Sequence, residues 1–151
     1  MDWKESWLEL FRETFEGVAP GANGTYYVQG KEALIPILNG LTAEQASHRT
    51  EKTNSVAAHA RHTAYYVSLM NKLNRGEEVV PDWEGSWTVQ EVTKDQWDAI
   101  RKDLKDQFTE LHGAMKTGFE NLDDESRTYA LAQLAHAAFH LGSIRQLAAT
   151  L

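Results

Sequence analysis

The sequence predicts an all-α protein, a four-helix bundle with one long crossover connection, and three observations carry that expectation. Apolar residues recur at spacings of three and four along several separate stretches, the period of a helix that buries one face. Only three prolines, Pro20, Pro36 and Pro81, interrupt the 151 residues, so long helices are permitted. No stretch alternates polar and apolar residues over a useful strand length. The length fits a single helical-bundle domain over residues 1–151, and a chain of this size buries most of its surface without a staple.

The first helix is expected from Asp2 to about Gly17. Trp3, Trp7, Leu10, Phe11 and Phe15 share its inner face, and Asp2 can cap it. Val18–Gly24, with Pro20, Gly21 and Gly24, reads as a break. A second piece covers roughly Lys31–Leu38 and is expected to be irregular or kinked at Pro36. A short helix follows Thr42, with Gln45 placed to complete a capping box.

The next helix starts near Asn54 or Ser55 and stops before Gly76, with Val56, His59, Ala60, Thr63, Tyr66, Val67, Met70 and Leu73 on one side. Residues 76–92 then form a connection of 17 residues, where about 4–6 is usual. At about 3.3 Å per residue it can reach over 50 Å, against about 30 Å for a 20-residue helix. Such a link can cross the whole bundle and leave its two flanking helices parallel, with Trp83 and Trp87 pinning it to the surface. Thr93 and Gln96 supply another capping box. Trp97, Ile100, Leu104, Phe108, Leu111, Met115 and Phe119 follow as the clearest amphipathic stripe. Asp123 or Asp124 caps a last helix whose inner face holds Ala130, Leu134, Ala137, Leu141, Ile144 and Ala148.

Composition removes several classes of function. The net charge is -7 with no basic run, the wrong sign for gripping a phosphate backbone or an anionic membrane. Neither nucleic acid nor membrane is therefore an expected partner. There is no cysteine, hence no disulfide, thiolate ligand or thiol nucleophile. The N-terminus MDWKESWLEL lacks an apolar leader and no apolar run is long enough to span a bilayer, so a cytoplasmic location is expected. No Gly-rich phosphate loop, HExxH motif or nucleophile elbow is present. The carboxylates at Asp95, Asp98, Asp103, Asp106 and Glu110 face away from the apolar stripe, as a solvated surface.

Histidine carries the remaining chemistry. His136 and His140 are four residues apart, one above the other on a helix face and able to point at one ion. A third ligand would come from His59 or His62. At ~100° per residue, Thr63, Tyr66 and Met70 lie close in phase to His59, which points it into the bundle. His62 lies on the other side, at the rim, as an exposed residue or a partner behind a ligand. Tyr66 shares the phase of His59, as a core aromatic or a hydrogen-bond partner. His48 and His112 read as surface. Three neutral imidazoles buried without partners would be costly, and a shared divalent ion would satisfy them. Zinc or nickel suits imidazole, and three ligands leave a coordination position open.

The segments Ser55-Val56-Ala57-Ala58-His59-Ala60-Arg61-His62 and His136-Ala137-Ala138-Phe139-His140-Leu141-Gly142-Ser143-Ile144-Arg145 resemble the two histidine motifs of the DinB/YfiT-like superfamily. The Leu41–Ala46 stretch and the Trp97 helix are also similar to that family's habits. The resemblance covers most of the chain. It implies a four-helix bundle with a long crossover, and a divalent metal, often nickel or zinc, on His59, His136 and His140. Characterised relatives include bacillithiol-using thiol S-transferases and mycothiol-dependent isomerases, which makes a low-molecular-weight thiol a candidate second cofactor. Many members are dimers, so a homodimer is an expectation, with Trp3 and Trp7 suited either to that interface or to the monomer core. The expected function is a metal-dependent enzyme that activates a small thiol or water against a small-molecule substrate, as an S-transferase or hydrolase-like protein. The alternative is a non-catalytic metal-binding or stress-related interaction protein. An enzyme should show a cavity on the order of several hundred Å3 at the ion.

Overall fold

Asp2 sits in extended backbone and its carboxylate accepts the Glu5 N–H, while the Glu5 side chain accepts the Asp2 N–H. This reciprocal box starts α1, Trp3–Glu16. Gly17 ends it at φ 86°, a region that favours glycine. The structure is a computed structural model that describes residues 2–22, 24–29, 31–118 and 122–151. Among these residues there are six α-helices and no strand.

Helix α2 is Leu34–Asn39. Pro36 falls in its first turn, where backbone N–H groups lack helical acceptors, so the residue expected to kink the helix is accommodated at its start. Helix α3, Ala43–Ser47, is opened by the Thr42–Gln45 box. Helix α4, Val56–Asn74, is capped by Ser55 Oγ, which accepts the Ala58 N–H at 3.1 Å. It ends before Gly76, at φ 74°. Thr93 and Gln96 exchange hydrogen bonds ahead of α5, Lys94–Gly118. Asp123 accepts the Ser126 N–H and caps α6, Asp124–Ala148. Phe119, the last residue of the expected stripe, lies outside the described residues.

Side-chain partners fix the helix directions. Ser55 before α4 bonds to Gln90 before α5, and Arg75 after α4 pairs with Glu110 of α5. These two helices therefore run parallel, as the long link allows. His59 faces His140 and Tyr66 faces Gln133, so α4 and α6 are antiparallel. Trp3 meets Arg127 and Trp7 meets Ala130, which makes α1 and α6 parallel. Helix α4 packs on α5 and α6, and α1 packs on the same two, so α1 and α4 occupy opposite corners.

The core gathers Trp7, Phe11 and Phe15 of α1 against Phe108 of α5, with ring centroids 4.4 Å apart for Trp7–Phe11 and 4.8 Å for Phe15–Phe108. Each buried ring of this size contributes roughly 2–3 kcal/mol. Trp7 belongs to this core, and its Nε1 donates to Ala130 O at 2.7 Å. Glu13 is buried too, and its carboxylate accepts the N–H groups of Tyr26, Tyr27 and Val28 at 3.0, 2.7 and 2.8 Å. That ties the segment between α1 and α2 to the bundle.

The link 76–92 folds back along α4. Asp82 N–H donates to Tyr65 Oη, Arg61 donates to Gly85 O, and Gln90 bonds to Asn54 and Ser55. Its middle forms a 3-10 turn, Gly85–Trp87. This turn rests on the outer side of α4 and buries it.

Candidate metal centre

Helices α4 and α6 bring four imidazoles together where they cross the 3-10 turn. His62 Nε2 is 3.1 Å from His136 Nε2, which is 3.1 Å from His140 Nε2. Each of these residues offers one nitrogen within 4.8 Å of the others, and no carboxylate or cysteine joins the group among the described residues. His59 stands behind His140, with the two Nδ1 atoms 2.8 Å apart.

The structure thus brings His59, His136 and His140 into one cluster and adds His62. The expectation that His62 sits at the rim is corrected: it is only 6% exposed, while His59 is half-buried. The cause is the link. Trp87 stacks on the His62 ring at 4.0 Å and 18°, and meets His59 edge-on at 5.2 Å. Tyr66 stacks on His136 at 3.8 Å and 18°, and so serves as an aromatic wall. His48 is exposed as expected. His112, expected at the surface, is half-buried and stacks on Phe108.

Hydrogen bonds assign the tautomer of His62. Ser86 Oγ donates to Trp83 O at 2.6 Å. Its proton is thereby committed, so at 2.7 Å it accepts from His62 Nδ1–H. A neutral imidazole has one N–H and one lone pair, and His62 Nε2 therefore presents the lone pair. The same logic at His140 directs Nδ1–H to His59 Nδ1 when Nε2 serves as a ligand. A ligating histidine usually has such an acceptor behind it. Ser86 and Trp87 escaped the sequence reading of the site. Their one signal was the tryptophan-bearing stretch inside an overlong link.

Burial holds the cluster neutral. It pushes His62 and His136 down to about 4, with His59 adding to the effect on His62 and His62 to that on His136. His140 falls to about 3, from burial and then from His136, His59 and His62. Burial also lowers His59. Near neutral pH the lone pairs are available. One proton on His136 Nε2 can reach both neighbours only as a shared, bifurcated hydrogen bond, whereas one cation would be bound by all three lone pairs at once. Ligands about 2.0–2.1 Å from a tetrahedral zinc lie about 3.3 Å apart, close to the spacings found here. The donor set fits a borderline divalent ion.

A cavity of about 650 Å3 reaches the cluster at His59, with Lys52, Asn54, Phe139, Ser143 and Gln146 among its other lining residues; His62, His136 and His140 do not line it. Among the described residues no helix is long and apolar enough to cross a membrane.

Fold and site together define a class: a helical bundle with a parallel α4–α5 pair, a crossover laid over α4, and a histidine cluster between α4 and α6. The chain belongs to the DinB superfamily, whose family model matches residues 26–143. Helix α1 precedes the matched stretch. No curated protein and no solved structure matches the chain.

Proposed function

We propose that the protein is a divalent-metal-dependent enzyme that activates a small thiol or water for attack on an electrophilic small molecule, as an S-transferase or hydrolase-like catalyst. The observation that carries this is the convergence of three neutral Nε2 atoms from His62, His136 and His140, with no anionic ligand among them. Zinc or nickel suits such a set. When bound, the ion lowers the pKa of a thiol or water at its remaining position.

The chain's own residues do the rest. Ser86 and His59 accept from His62 and His140 and hold both rings in place. With its Nδ1 accepting, His59 keeps an Nε2–H donor on a residue that lines the cavity. Lys52 brings a positive charge to the same cavity and favours a substrate or thiol with an anionic group. Trp87 and Tyr66 each stack on one ring, of His62 and His136 respectively, and hold its plane.

The test is metal content of protein purified without a histidine tag or chelator. Wild type should hold close to one equivalent of zinc or nickel. His136→Ala and His62→Ala should lose it, and His59→Ala should keep it more weakly. Loss in His59→Ala with retention in His62→Ala would make His59 the α4 ligand, as the family resemblance implies. No metal in wild type, and no uptake on addition, would overturn the proposal. Metal without turnover across a panel of thiols and electrophiles would favour the non-catalytic alternative.

A further inference from the structure

We infer that a second cavity, between α4, α6 and the link, binds a small uncharged aromatic molecule that carries an N–H or O–H donor. The cavity has a volume of about 340 Å3 and is walled by Tyr66, Met70, Leu73, Trp83, Tyr129 and Gln133 among others, with no charged residue among its lining. It begins about two turns along α4 from His59, and His59 lines only the other cavity.

Two independent features specify the ligand. The first is the wall. Trp83, Tyr129 and Leu73 remain 46%, 50% and 49% exposed although large and apolar, and they cluster around one concavity instead of being scattered singly. Trp83 lies 5.8 Å from Tyr66 and 6.0 Å from Tyr65, so aromatic surface is continuous there. A flat ring is the shape that such walls accept. The volume falls in the range of small-ligand pockets, roughly 300–1,000 Å3.

The second feature is Gln133, 5% exposed. Its Nε2 donates to Tyr66 O at 2.9 Å, which fixes the orientation of the amide. Its Oε1 is buried and has no hydrogen-bond partner. An unpaired buried acceptor is costly; Gln133 lines the cavity, and a ligand N–H or O–H that displaces the cover over Oε1 and reaches it would remove that cost. An acceptor-only ligand would not. The Tyr66 ring separates this cavity from His136, on which it stacks. The assignment does not need the metal, so it stands or falls apart from the proposed function.

Binding of 2-naphthol and of its methyl ether, 2-methoxynaphthalene, tests it. Dissociation constants would come from calorimetry, with and without added zinc, and amide shifts in an NMR titration would locate the ligand. Wild type should bind 2-naphthol about ten-fold more tightly than the ether. Gln133→Met should bring that ratio to about one. Leu73→Glu, at a half-exposed position in the cavity wall, should weaken both ligands, and it keeps the test open should Gln133→Met fail to fold. Equal affinity of wild type for the two compounds, undetectable binding of both, or binding indifferent to Leu73→Glu would overturn the inference.

Discussion

At the proposed metal site, replacing Ser86 by alanine should weaken ion binding although Ser86 is not among the proposed ligands. Ser86 is 2% exposed, gives its proton to Trp83 O and accepts from His62 Nδ1 at 2.7 Å. Without the hydroxyl, His62 Nδ1–H has no acceptor. The ring then turns more freely, and the tautomer with its proton on Nε2, which cannot ligate, competes. Removing a hydrogen-bond partner behind a ligating histidine costs about 10–100-fold in affinity, or about 1.4–2.7 kcal/mol. The assay is competition with a chromophoric chelator, comparing metal-free wild type with Ser86→Ala. Long-range 15N–1H spectra of the imidazoles would read the tautomer directly, with His62 protonated at Nδ1 in wild type. An unchanged dissociation constant, or a His62 protonated at Nε2 in wild type, would refute this chain of reasoning.

Three further outcomes are expected. In metal-free protein, His62 and His136 at about 4 and His140 at about 3 return to about 6.5 on unfolding. The unfolded chain binds more protons between those limits, so stability should be complete above about pH 6.5 and fall as pH drops toward 4; urea midpoints that do not change over that window would contradict it. Trp7→Phe removes the buried Nε1–H···O contact to Ala130 and should cost about 1 kcal/mol in urea unfolding. In Glu13 burial raises the carboxyl pKa, but the N–H groups of Tyr26, Tyr27 and Val28, with Arg12 nearby, outweigh it and hold the group below its ordinary value. Glu13→Gln turns an amide N–H2 toward one of those donors and should lose about 2 kcal/mol, read as a lower denaturation midpoint, with the extra mobility of residues 26–28 visible in amide exchange.

Local chemistry made much of the fold legible. The caps at Asp2, Thr42, Ser55, Thr93 and Asp123 sit where hydroxyls or carboxylates precede apolar periodicity. The parallel α4–α5 pair followed from the length of one link. His136 and His140 were legible because four residues on a helix is a local relation. His62 was not, for a physical reason. Helical phase assumes one buried face, but α4 is buried nearly all round: Ala57, Ala58, His62 and Leu69 are enclosed as well as Val56, Ala60, Thr63 and Val67. The second covering layer is the link, whose path over α4 is set by tertiary contacts such as Arg61 to Gly85 O. Ser86 and Trp87 reach the histidines along that path.

The absence of cysteine acquires a different meaning beside the histidine cluster. His62 and His136 are 74 residues apart in the chain, and the proposed ion, shared between them, would close a loop that includes all of α5. Loop closure restricts the unfolded ensemble, and the restriction grows with loop length. Binding energy at such a cross-link is folding energy. A bundle that has no thiols to oxidise would thus carry a reversible clasp across its antiparallel α4–α6 seam, fastened by metal supply instead of redox state, and its resistance to heat and proteases would report how much metal the surroundings provide.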